Sequence, residues 1–145
     1  MNFDPRDLKI SDYDKGFLDI LSQLTSVGDI TPQAFQERLS EVNASPDHKV
    51  VVVEDEQSHK IIATAACLIE RKFIHGCSKV GHIEDVVVDQ TYRGKRLGQR
   101  VIQALMEFAK AAGCYKVILD CGESNVAFYE KCGLTRKEVQ MAKYF

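Results

Sequence analysis

No stretch of this 145-residue sequence stays apolar for the roughly 20 residues that a spanning helix needs, so a membrane protein is not expected. The opening residues Asn2-Phe3-Asp4-Pro5-Arg6-Asp7 hold no apolar h-region, and no signal peptide is visible. Both absences predict a cytoplasmic protein. No CxxC pair occurs among the five cysteines Cys67, Cys77, Cys114, Cys121 and Cys132, whose number is odd. A disulfide framework and a zinc site are therefore not expected, and the thiols read as buried or free. Neither sign of charge dominates: 19 Lys+Arg against 21 Asp+Glu leave a net charge of −2, which argues against a nucleic-acid partner. No repeat, linker or low-complexity segment divides the chain, so its length predicts one domain, residues 1–145.

What is present is an ordinary globular mixture, 45% apolar and 28% charged. A short extended opening ends at Ile10. Asp12 then reads as the cap of a helix whose Phe17, Leu18, Ile20, Leu21 and Leu24 recur at helical spacing. Thr31-Pro32 starts a second helix, with Phe35, Leu39 and Val42 as its buried stripe. Lys49 to Glu54 and Ile61 to Glu70 read as a hairpin closed by Asp55-Glu56-Gln57-Ser58. Val80 to Asp89 is a third long strand, and a helix of about four turns follows from Leu97 to Ala112. Cys114 to Cys121 reads as a buried strand, Asn125 to Lys131 as a short helix, and the tail as a last strand. The order β-α-α-β-β-β-α-β-α-β predicts an α/β fold with a mixed, mostly antiparallel sheet flanked by helices.

Chemistry concentrates between Glu84 and Gln99. A strand ending in Val86-Val87-Val88 runs into a loop bearing Arg93, Lys95 and Arg96 and then into a helix. A helix N-terminus offers unpaired N–H groups and partial positive charge to a phosphate, and Gly94 and Gly98 allow close backbone approach. The plainer reading is a basic βα turn with a solvated face.

Arg93-Gly94-Lys95-Arg96-Leu97-Gly98 resembles the pyrophosphate loop of the GNAT acetyltransferases, Arg/Gln-x-x-Gly-x-Gly/Ala, departing from it at Arg96. Asn125-Val126-Ala127-Phe128-Tyr129-Glu130-Lys131-Cys132-Gly133-Leu134 resembles a second GNAT signature, with a shorter lead-in to Phe-Tyr. Further blocks are similar to one branch of the superfamily, the glucosamine-6-phosphate N-acetyltransferases. They are Leu24-Thr25-Ser26-Val27-Gly28, Ile69-Glu70-Arg71-Lys72-Phe73-Ile74-His75, Gly81 to Val88 and Cys114 to Cys121.

That resemblance implies a GNAT fold and acetyl-CoA as cosubstrate. Backbone groups of Val86, Val87 and Val88 would pair with the pantetheine arm as an added strand. Arg93, Gly94, Lys95, Arg96, Leu97, Gly98 and Gln99 would hold the pyrophosphate. Asn125, Tyr129, Glu130 and Lys131 would border the far end of the cofactor. A sugar phosphate would meet Thr25, Lys72, Phe73, Ile74, His75, Glu84, Asp85, Val86, Tyr115, Lys116 and Asp120, with Lys143 in the tail as the remaining cation beside Tyr144. Family members are homodimers that share this pocket, the position of Asp120 crossing from the second subunit. Glu84 or Asp120, directly or through a water, is the candidate base, and Tyr129 the candidate acid. Direct transfer needs no acetyl-enzyme, so no cysteine is assigned as nucleophile. His75 and His82 lack a third ligand at suitable spacing, so no metal is expected. Two alternatives stand beside this one: a GNAT enzyme for another small amine, and a non-catalytic acyl-CoA-binding module.

Overall fold

The computed structural model describes residues 2–145. Five strands form one sheet in the order β1-β2-β3-β4-β5: β1 Arg6–Asp7, β2 His48–Asp55, β3 Lys60–Arg71, β4 Lys79–Val88 and β5 Cys114–Ile118. The first four run antiparallel and β5 joins β4 in parallel, as the crossover requires. Helices α1 (Phe17–Leu21) and α2 (Pro32–Asn43) lie on one face. There Phe17, Ile20, Phe35 and Leu39 pack on Val52, Ile61 and Val87. Helix α4 (Leu97–Ala111) covers the other face, seating Val101, Ile102, Leu105 and Ala109 on Val51, Val53, Ile62 and Ile83. Between β3 and β4 lies a four-residue turn, α3 (Ile74–Cys77), and α5 (Val126–Lys131) closes the regular part of the chain.

The expected α2 starts where the sequence places it, with Thr31 Oγ1 accepting from Ala34 N–H at 3.1 Å. Four expectations are corrected. Asp12 does not cap α1; it lies in a 3-10 turn (Ile10–Lys15), and Gly16 at φ 81° precedes the helix. Asp12 is instead fully buried and accepts two bonds from the Arg6 guanidinium, at 2.9 and 2.8 Å, and one from Lys9 N–H at 2.8 Å. Leu24 leaves the apolar stripe because α1 ends at Leu21, and its side chain is 45% exposed. The stretch from Cys114 is shorter and wetter than expected, since β5 is the sheet edge and ends at Ile118 with only Cys114 and Val117 partly covered. The tail forms no strand among the described residues: Val139, Met141, Tyr144 and Phe145 are each at least 88% exposed. Its apolar residues find no surface in their own chain.

Gly98 is buried in the first turn of α4 because Phe128 of α5 lies against it. A Cβ there would stand 2.7 Å from Phe128 Cζ, closer than any real contact. Gly98→Ala is expected to cost about 1–3 kcal/mol, read as a fall of several degrees in the melting midpoint. Adding Phe128→Leu should recover part of that loss; no recovery would mean that the two residues do not meet.

Arg6 also reaches Glu54 at 2.5 Å and Lys15 reaches it at 3.0 Å. These bonds hold the Glu54 carboxyl at a pKa of about 2, against an ordinary 4.5. A depressed carboxylate stabilises the fold above its unfolded pKa and loses that contribution as pH falls through the folded one. The stability gap between wild type and Glu54→Gln, followed by urea unfolding, should be full above pH 4.5 and shrink as pH falls toward 2. A gap that does not change over that window would contradict the pairing.

Candidate active site

The site begins with a break in the sheet. β4 and β5 pair only from Lys79 with Cys114 to His82 with Ile118. Beyond Ile118 the chain leaves the sheet, so the β5-side edge of β4 from Ile83 to Val88 has no strand beside it. Such an edge is a template for an extended ligand.

A bulge in the same stretch sets which side chains face which way. Ala66 pairs with Glu84 and Thr64 with Val87, so Asp85 and Val86 together oppose the one residue Ala65. Asp85 takes up the extra residue at φ 52°. Strict alternation would put Glu84 on the face of Val86 and Val88. The bulge puts it with Val87, on the α1–α2 face, while Val86 and Val88 pack toward α4. Glu84 therefore lies on the α1–α2 face beside the open edge.

At the end of that edge lies the basic loop. Arg93, Gly94, Lys95 and Arg96 are exposed, and no side chain caps α4, so the first N–H groups of this helix remain free for an anion. Arg96 is its N-cap residue and holds φ 61°, ψ 24°. The loop pattern's middle glycine is thereby explained: the position is left-handed, where glycine is least strained. Arg96 adopts the same shape and adds a guanidinium. Leu97 and Gly98 are buried, so they serve an anion through backbone alone, and Gly98 owes its size to Phe128. Gln99 is half-buried one residue on. The donor set suits a pyrophosphate.

Three expected catalytic residues are linked electrostatically. Glu84 is half-buried, and its carboxyl pKa is raised by burial and then by the charges of Asp120 and Asp85. Asp120 is exposed in the segment after β5 rather than at the end of a buried strand. Tyr129 is half-buried, and burial, followed by Cys121, Cys132 and Asp120, pushes its phenol up to about 12. Its ring meets Phe128 edge-on at 4.9 Å. Glu84 and Tyr129 are thus tied to one carboxylate, Asp120, from two elements. Asn125, Glu130 and Lys131 lie exposed around α5.

The remaining expected substrate residues gather elsewhere. Lys116 pairs with Val80, which at roughly 3.3 Å per residue lies about 13 Å along β4 from Glu84. Tyr115 stacks on His75 at 4.4 Å, and Lys116 Nζ lies 5.6 Å from the Tyr115 ring centre. Lys72 pairs with Glu70 at 3.3 Å, and His82 pairs with the same carboxylate at 2.9 Å. His75, Gly76 and Cys77 all have positive φ, leaving Phe73 92% and Ile74 56% exposed. Thr25 is exposed at the α1–α2 loop, and Lys143 lies in the exposed tail. Within one chain Lys116 and the Tyr115–His75 stack thus lie apart from Glu84 along the sheet.

Sequence reasoning missed two contributors. Phe128 stood only as part of the Phe-Tyr signature, with nothing to signal its place against Gly98. The Asp89-Gln90-Thr91 turn did give one: an aspartate two residues before a threonine, whose carboxylate accepts from Thr91 N–H at 2.8 Å.

Against known proteins, residues 16–134 match the Acetyltransferase (GNAT) family. A protein of Arabidopsis thaliana named glucosamine 6-phosphate N-acetyltransferase is 51% identical over 144 residues, spanning 99% of this chain and 97% of that one. A rice protein (Oryza sativa subsp. japonica) named glucosamine 6-phosphate N-acetyltransferase 1 is 47% identical, over 97% of this chain and 86% of that one. The crystal structure of glucosamine-6-phosphate N-acetyltransferase from Arabidopsis thaliana superposes with a TM-score of 0.98, at 51% identity, covering 100% of this chain and 99% of that one. With a family match over most of the chain and a relative 51% identical along nearly its full length, the chain belongs to the GNAT family of acetyltransferases.

Proposed function

We propose that this chain is an enzyme, acting as a single domain, that transfers the acetyl group of acetyl-CoA to the 2-amino group of glucosamine 6-phosphate. The products are N-acetylglucosamine 6-phosphate and CoA, a step in amino-sugar biosynthesis. One observation carries the chemistry: an open strand edge that ends at a basic loop and runs beside the trio Glu84, Asp120 and Tyr129. The names of relatives at about half identity along nearly the full chain support the acceptor.

When bound, acetyl-CoA supplies the acetyl thioester. The free N–H groups at the start of α4, with Arg93, Lys95 and Arg96, hold its pyrophosphate. The open backbone of Val86 to Val88 aligns its arm, and an N–H near Val87 polarises the carbonyl. The sugar ammonium gives a proton to Glu84, directly or through a water, with Asp120 completing the acidic site. A carboxyl raised by burial and by a neighbouring carboxylate is a better proton acceptor than an ordinary glutamate. The freed amine forms the C–N bond as the C–S bond breaks; Tyr129 gives its proton to the departing thiolate, and the second proton that the new amide nitrogen sheds restores the phenol, directly or through water. Held up at about 12, the phenol is fully protonated at neutral pH and so present as a donor, and it is a weaker acid than a free tyrosine. Transfer is direct, so the free cysteines serve no nucleophilic role and no metal is needed.

We further propose that two copies share the site. Leu68, His82 and Ile118 form one cross-strand row on the face that α1 and α2 leave bare, with Leu68 44% and Ile118 37% exposed. The apolar tail and the protruding Phe73-Ile74 turn supply matching surface. The separation of Lys72, His75, Tyr115 and Lys116 from Glu84 has the same explanation: one protomer brings the sugar phosphate to the chemistry of the other, with Thr25 and Lys143 at its margin. Five free thiols suit the reducing cytoplasm.

Thiol release from acetyl-CoA should be at least about 100-fold more efficient with glucosamine 6-phosphate than with glucosamine, because the pocket's cations lose their partner without the phosphate. Equal efficiencies would overturn the phosphosugar acceptor and leave the family assignment intact. Tyr129→Phe should lower kcat by about 100-fold or more, with CoA affinity by calorimetry changed less than about threefold. A wild-type kcat in that variant would remove Tyr129 from the proton path.

A further inference from the structure

The 3-10 turn Gln90–Tyr92 is the hinge between β4 and the basic loop, and it is fastened from two sides. On one side, Tyr92 OH donates to Asp55, a carboxylate only 5% exposed at the β2–β3 hairpin. Asp55 is itself fixed by Gln57 N–H at 3.1 Å and Ser58 Oγ at 2.9 Å. On the other side is Gln23, just past the end of α1. Gln23 Oε1 accepts from Gln90 N–H at 3.0 Å, and Gln23 Nε2 donates to Asp89 Oδ2 at 3.2 Å. The other oxygen of Asp89 takes Thr91 N–H at 2.8 Å and Thr91 Oγ1 at 2.6 Å. One amide side chain thus holds the first peptide of the turn and the carboxylate that caps it.

Gln23 is also two residues from Thr25, and both backbone N–H groups still bond back to α1, to Ile20 O at 3.0 Å and Leu21 O at 3.2 Å. A shift of the α1–α2 loop therefore moves the Gln23 side chain. Behind the turn lies a cleft of about 400 Å³ bordered on this side by Gly16, Asp19, Gln23, Asp89 and Thr91. The task requires a neutral amide. Leucine has no donor or acceptor, and a glutamate would set its carboxylate against that of Asp89.

We propose that Gln23 is a positioning residue for cofactor binding. It ties the acceptor-side loop at Thr25 to the turn that aims Arg93 to Arg96 at the cofactor's phosphates. The inference rests on the cofactor reading of that loop and not on which amine is acetylated.

The test is calorimetric titration of CoA into wild type, Gln23→Leu and Tyr92→Phe, with amide exchange of residues 89–93 in the ligand-free proteins. The exposed Gln23 is not part of the core, so Gln23→Leu should melt with wild type. Its CoA Kd should rise about 10-fold, the scale of two hydrogen bonds lost at a surface, and its Gln90 and Thr91 amides should exchange faster. KM for acetyl-CoA should rise by a similar factor with kcat within about twofold. Tyr92→Phe, released from the other side, should show the same split. Wild-type CoA affinity and unchanged exchange in Gln23→Leu would overturn the proposal while leaving acetyl transfer intact. A fall in kcat with unchanged affinity would overturn it as well. A wild-type chain that does not bind CoA would overturn both this inference and the cofactor reading beneath it.

Discussion

The parting of β4 from β5 is the constraint on which the rest of the site depends. A parallel pair that stays together along its length satisfies its backbone groups internally and has no edge to offer. Here the ladder stops at His82 and Ile118, and the chain turns out of the sheet before Asp120. The space beside β4 is bordered instead by α5, whose Tyr129 packs on the α4-side core and whose Phe128 rests on Gly98. An unpaired strand in a protein interior is costly unless a partner satisfies it. A ligand with amide groups of its own suits that vacancy better than a compact one. The same parting carries Asp120 out to where both Tyr129 and Glu84 feel it, and Cys121 to where Tyr129 does.

The bulge at Asp85 is the second element of the design, and it depends on the first. On an edge paired on both sides, an extra residue would disrupt two ladders; here it disturbs only the pairing with β3. It reverses the direction of Glu84 relative to Val86, so the strand with the open backbone edge also turns a carboxylate to the face opposite Val86 and Val88. Electrostatics then divides the labour. The carboxylates sit mid-strand, where burial and mutual repulsion raise Glu84, and the cations of the Arg93–Arg96 loop collect at the strand end, beside a helix N-terminus without a side-chain cap.

Much of this was legible in the sequence, and what was not has physical reasons. The hairpin, the long β4, the apolar face of α4 and the Thr31-Pro32 helix start follow from periodicity and capping chemistry. So does the exposed basic loop ahead of α4, because glycine and basic residues at a strand–helix junction carry a local meaning. Asp12 was misread because an aspartate before an apolar stripe looks like a cap; its engagement with Arg6 is a tertiary contact. The bulge left no mark, since Glu84-Asp85-Val86 reads equally well as plain strand. The tail's alternation of apolar and polar residues does resemble a strand, but a strand needs a neighbour, and this chain supplies none among the described residues. Arg96 shows the converse. The loop departs from its glycine pattern there, and the left-handed conformation is kept with arginine in it.

The open edge of β4 is therefore the feature to test first. Amide hydrogen exchange across residues 83–88, measured with and without saturating CoA, reads it directly. Protection of these amides on CoA binding, together with those of residues 97–99, is the predicted result. Binding that protects residues 97–99 while residues 83–88 exchange as before would contradict an added-strand cofactor and with it the geometry assigned to Glu84 and Tyr129.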